Sequence, residues 1–87
     1  MIYTAQRIAA NGNWNVPAGD ESLCHCDNRA DVNDSLDYWA DMVGRLNPRE
    51  DAFLMVWAGE HHSDVTDLYP DFRVSYGPRG GIRWELV

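Results

Sequence analysis

Apolar residues recur at three- and four-residue intervals in the middle of the chain: Leu36, Trp39, Met42, Val43 and Leu46. That spacing marks one face of a helix and predicts a helix over residues 34–46. Asn33 or Asp34 can cap its start, and Asn47-Pro48 ends it, because the residue before proline is held out of helical backbone. Asp34, Asp37 and Asp41 fall opposite the apolar stripe and face water. Arg45 stands one turn beyond Asp41 and is placed to pair with it.

Elsewhere the period is two. Phe72, Val74 and Tyr76 alternate with Arg73 and Ser75; after Gly77-Pro78-Arg79-Gly80-Gly81, Ile82, Trp84 and Leu86 alternate with Arg83 and Glu85. Two strands joined by a glycine-rich turn read as a hairpin with one inward and one outward face. Residues 52–58, AFLMVWA, are apolar at every position and suit a central strand covered on both faces. Residues 2–10 and 21–26 read as two further strands, separated by an Asn11-Gly12 turn signal and a loop holding Pro17 and Gly19. The predicted order is β-β-α-β-β-β: a single α+β domain over residues 1–87, with an antiparallel sheet of four to five strands and one amphipathic covering helix.

Length and charge narrow the function. At 87 residues the chain has room for one core between two layers. No apolar run approaches a membrane span, and the N-terminus lacks the basic start and apolar middle of a signal peptide, so a cytoplasmic protein is expected. Fourteen acids against seven bases, all arginine, give a net charge of −7. Such a chain repels phosphate backbones, which disfavours nucleic acid, and attracts basic protein surfaces.

Chemistry-bearing residues concentrate in two places. The stretch SLCHCDN, residues 22–28, holds both cysteines, Cys24 and Cys26, around His25. In an extended segment the cysteines share one face and His25 takes the other, which suits small buried hydrophobes better than a disulfide. The alternative is a small metal-binding domain in which Cys24 and Cys26 join His61 or His62 on one zinc ion. In HHSD, residues 61–64, a nucleophile, a base and an acid are sequence neighbours, whereas a catalytic triad converges from separate elements. With no nucleophile elbow, phosphate loop or deaminase signature, neither an enzyme nor a cofactor is expected.

The segment between the third and fourth strands, GEHHSDVTDLYPD, carries Glu60, Asp64, Asp67 and Asp71 around Val65, Leu68 and Tyr69. Acids surrounding an aromatic anchor suit a protein-binding surface, and Trp14 is a second candidate anchor. Either histidine gains charge toward pH 6, which makes binding there pH-sensitive.

From SLDYWADMVGRL through AFLMVWAG to DFRVSYGPRGGIRWELV, the chain resembles a family of bacterial polymorphic-toxin immunity proteins common in actinobacteria. The likeness lies in the order of helix, strand and hairpin and in the turn at Gly80-Gly81 followed by Trp84. It implies a small acidic inhibitor, without catalysis, that binds a cognate toxin; a small phage-encoded accessory protein is the alternative origin. The residues expected to meet the partner are Asp34, Asp37, Asp41, Glu60, Asp64, Asp67 and Asp71, with Tyr69 and Trp14 as anchors. A structural subunit of an assembly, forming homo-oligomers, is a further alternative.

Overall fold

The computed structural model describes residues 1–9, 23–45 and 48–87. The Asn11-Gly12 turn, the Pro17/Gly19 loop, the Trp14 anchor, Leu46 and Asn47 lie outside the described residues.

Among the described residues, five strands form one antiparallel sheet: β1 (Tyr3–Ala9), β2 (Leu23–Cys26), β3 (Ala52–Ala58), β4 (Phe72–Tyr76) and β5 (Ile82–Leu86), in spatial order β2-β1-β3-β4-β5. One helix, α1 (Arg29–Val43), covers one face, so the chain has the α+β architecture its pattern predicts. β2 and β3 both run antiparallel to β1, which lies between them. They therefore run parallel to each other, and α1 is the crossover that must span the sheet to join them.

The core forms where the two layers meet. Val32, Leu36, Trp39, Ala40 and Val43 of α1 pack with Tyr3, Ala5, Cys26, Leu54, Val56 and Val74 of the sheet. Leu36, Leu54, Val56 and Val74 are fully buried, and each contributes about 1.5–3 kcal/mol by leaving water. The Trp39 indole N–H donates to the Ile8 carbonyl at 2.9 Å, tying the helix to β1.

The helix begins at Arg29, more than a turn before the predicted start, and neither Asn33 nor Asp34 caps it. Asn28 is extended, and its side-chain oxygen accepts the Asp31 amide at 2.9 Å. Val32, fully buried, extends the apolar stripe by one turn. The helix also stops before Asn47-Pro48, at Val43. Gly44 donates to the Ala40 carbonyl, and a Cβ there would stand 2.8 Å from the Arg49 side chain that folds back over it. Arg49, rather than Arg45, then forms the ion pair with Asp41, at 3.3 Å.

β3 is covered on both faces only in part. Ala52, Leu54 and Val56 are buried under α1, whereas Phe53 and Met55, on the opposite face, are half-buried. The following loop protects Trp57, whose indole donates to the Leu68 carbonyl at 3.1 Å. The β4–β5 hairpin forms as the alternation predicts, with Gly80 at φ +83° in its turn. Leu86 departs from its predicted inward role: it is 84% exposed, on the outermost strand.

Candidate functional site

The acids of α1 do form one solvent-facing surface. Asp31, Asp34, Asp37 and Asp41 are all exposed, and Tyr38 stands among them, 57% exposed. Intervals of three and four residues from Asp31 through Asp34 and Tyr38 to Asp41 keep these side chains on one side of the helix. Sequence reasoning missed Asp31 and Tyr38, although that spacing was visible; the late predicted start had left Asp31 outside the helix. The Arg7 guanidinium lies 5.4 Å from the Tyr38 ring centroid and braces it from β1.

The stripe is uneven in charge. At its C-terminal end, Arg49 pairs with Asp41, stacks over Tyr76 at 5.2 Å and donates to the Tyr76 hydroxyl, which itself donates to Asp37. Burial, reinforced by Asp37, pushes the Tyr76 phenol up to about 12, so it stays a neutral donor at all physiological pH. Asp31 and Asp34, nearer the N-terminal end, lie outside this network.

Two of the predicted loop acids, Asp64 and Asp71, accept hydrogen bonds from nearby backbone amides. Asp71 accepts the Ala58 amide at 2.7 Å, closing the loop where it leaves β3. Asp64 accepts the His62 amide at 2.8 Å through one oxygen and the His61 ring at 3.0 Å through the other. Glu60 approaches the His62 ring at 3.9 Å, and Asp67 is exposed in the 3-10 turn Ser63–Asp67. Tyr69 is 91% exposed.

The loop packs on the sheet face away from α1. The His61 amide donates to Thr4 Oγ1 at 2.8 Å, and Thr4 donates to the Gly59 carbonyl at 2.8 Å. The two halves of the predicted partner surface, helix acids and loop acids, therefore do not merge into one patch.

All three histidines meet in this loop. His25 Nε2 donates to the His61 carbonyl at 2.6 Å, and its ring lies 4.8 Å from that of His62. His61 directs Nδ1 at Asp64 and Nε2 at the Ala58 carbonyl, 2.9 Å away. Both partners are acceptors, so the imidazolium satisfies them and the neutral ring leaves one unmet. The hydrogen bond to Asp64 accordingly raises the His61 pKa, and the same bond lowers that of Asp64. Both His61 ring nitrogens are thus engaged within the loop and with the end of β3.

The cysteines lie on the opposite side of the strand from His25, packed against the core under α1. The four residues of the metal alternative are thus divided by the sheet, and among the described residues no group of three or more His, Cys, Asp or Glu is arranged to hold a metal ion. Burial, then the neighbouring Cys24, pushes the Cys26 thiol up to about 11, which suits a packing role rather than a nucleophile. Among the described residues, no helix is long and apolar enough to cross a membrane.

Comparison with known proteins finds no family model, no curated protein and no solved structure that matches this chain.

Proposed function

We propose that this chain is a small non-enzymatic binding protein that engages and blocks a partner carrying a basic surface, in the manner of an immunity protein. The observation that carries the reading is the exposed back of α1, where Tyr38 stands among Asp31, Asp34, Asp37 and Asp41. A half-exposed aromatic ring supplies contact area at low conformational cost, while the surrounding carboxylates steer a basic partner and speed its approach. Bracing by Arg7 limits the ring's motion in the free protein. The Arg49–Tyr76 network holds Asp37 and Asp41 in place, which leaves Asp31 and Asp34 as the freer attractive charges. Tyr69 and the loop acids Glu60 and Asp67 form a separate, secondary candidate surface on the other side of the sheet.

The test is capture of binding proteins from lysate of the source cell at low and high salt. The chain contains no lysine, so coupling through the Met1 amine leaves α1 free. A basic protein held at low salt and released at high salt is the expected result. Tyr38→Ala should weaken its binding about tenfold or more, and Asp34→Arg should slow association and flatten its salt dependence. Capture that both variants leave unchanged would remove α1 as the binding surface.

A further inference from the structure

We propose that the outer edge of β5 is a self-pairing surface, through which two copies of this chain join their sheets β5 against β5, antiparallel and centred on Trp84. The inference concerns a surface separate from the back of α1 and does not rest on the function proposed above.

β5 is an outermost strand, and its outer side has no paired strand among the described residues. Soluble proteins ordinarily blunt such an edge with a very short strand, charged side chains (lysine above all), proline, a bulge or a covering segment; the two charges of β5, Arg83 and Glu85, are of opposite sign and so can be complemented by a second copy. The sequence of β5, IRWEL, contains neither lysine nor proline, and its register with β4 runs unbroken from Phe72↔Leu86 to Tyr76↔Ile82. Leu86 and Val87, at 84% and 64% exposed, add apolar surface at the same edge.

The backbone bonds fix which groups face outward. The Val87 amide donates to the Asp71 carbonyl and the Gly77 amide to the Gly81 carbonyl, at opposite ends of the hairpin. Hydrogen-bonded positions alternate in an antiparallel pair, so Arg83 and Glu85 direct their backbone groups at β4. Ile82, Trp84 and Leu86 direct theirs at the open edge.

Symmetry then restricts the register. Two copies related by a two-fold axis normal to the sheet keep their faces aligned, so residues directly opposite must come from the same face. For an overlap of three or more strand residues the axis can therefore pass through Arg83, Trp84 or Glu85, but not between residues. Centring on Arg83 sets that arginine against its own copy, and centring on Glu85 sets two glutamates together; like charges directly opposite destabilise a strand pair. Centring on Trp84 places Arg83 opposite Glu85 of the other copy, twice by symmetry, and Ile82 opposite Leu86. The outward backbone groups of Ile82, Trp84 and Leu86 then fall on hydrogen-bonded positions. Arg83 and Glu85 fall on the other positions, where opposed side chains come closest. Within one chain these two side chains make only a loose contact, 3.9 Å and half-exposed, which the intermolecular pairing can replace. The joined sheet carries both helices on the same face.

The test is sedimentation velocity across a concentration series, with the fold of each variant checked by circular dichroism. The wild-type chain should pass from monomer to dimer as concentration rises. Leu86→Pro removes an outward N–H that β4 does not use, and proline is tolerated on an edge strand; it should weaken the dimer about tenfold or more. Arg83→Glu alone and Glu85→Arg alone oppose like charges and should each weaken the dimer about tenfold or more. Mixed in equal amounts, these two variants should pair, because each arginine then meets a glutamate. A wild-type chain monomeric throughout, a dimer indifferent to Leu86→Pro, or a variant mixture that fails to pair would each overturn the proposal.

Discussion

His61 shows how a single side chain can tie a loop to a sheet. Its ring holds Asp64 and the Ala58 carbonyl, and its backbone holds Thr4 through the amide and His25 through the carbonyl. Because its pKa is raised in the folded chain, the stability it supplies is complete below its ordinary value near 6.5 and is lost as pH rises through the raised folded value. Asp64 is lowered, so its share is complete above its ordinary value near 3.8 and is lost as pH falls through the depressed value. Both contribute fully between those ordinary values, in mildly acidic solution. An NMR titration of the imidazole resonances should find His61 titrating above 6.5, and Asp64→Asn should bring it back toward that value. A His61 midpoint that Asp64→Asn leaves in place would show that another group holds the proton. Little of this was legible in the sequence. The alternation of Leu23, Cys24, His25 and Cys26 correctly separated cysteines from histidine, because that is a property of a strand alone. The meeting of His25 with His61 and His62 depends on where a loop folds across another strand, which local spacing does not encode.

The elements themselves were more legible, and their errors are instructive. β3, β4 and β5 lie where alternation and turn residues predict, since a strand's inward face and a glycine turn are local features. The helix start was misplaced because Asn33 and Asp34 both look like caps, and they follow Val32, whose burial establishes the extra turn. Asn28→Ala should therefore cost about 1 kcal/mol in urea unfolding, through loss of the bond to the Asp31 amide. Asn33→Ala should also destabilise, but by a different route: its side-chain oxygen accepts the Trp84 indole at 2.9 Å and joins α1 to β5. Double-mutant cycles separate the two, since only the Asn33 effect should disappear in a Trp84→Phe background. If Asn28→Ala is silent, capping has been assigned to the wrong residue. Trp84 is further held by Tyr3 and Phe72, edge to face at 5.5 and 5.3 Å, and by the Arg29 guanidinium 4.6 Å above its ring. The start of the helix and the last strand are thus one packed unit, which makes the N-terminal turn of α1 a tertiary feature as much as a local one.

For the whole molecule, net charge sets two associations in opposition. The charge of −7 was evident from composition, but its consequences depend on where the acids stand. Two copies meeting at β5 bring like-charged bodies together. For a molecule with extents of 30 × 25 × 20 Å, centres roughly 25 Å apart repel by on the order of 8 kcal/mol in unscreened water. Salt at physiological strength screens charges beyond about 8 Å and removes most of that repulsion. The Arg83–Glu85 contacts across the edge are short, and pairs of that exposed kind are worth about 1 kcal/mol or less, so their screening is the smaller effect. Self-association is accordingly expected to strengthen as salt rises from low to physiological concentration. Capture of a basic partner on α1 should weaken over the same range, because there the long-range term is attractive. Measuring both dissociation constants across one salt series, by sedimentation for the dimer and by surface binding for the partner, should give slopes of opposite sign. Two slopes of the same sign would mean that one surface has been misassigned: a dimer weakened by salt would point to contact through α1, and a partner bound more tightly in salt would point to an apolar site away from the acidic stripe.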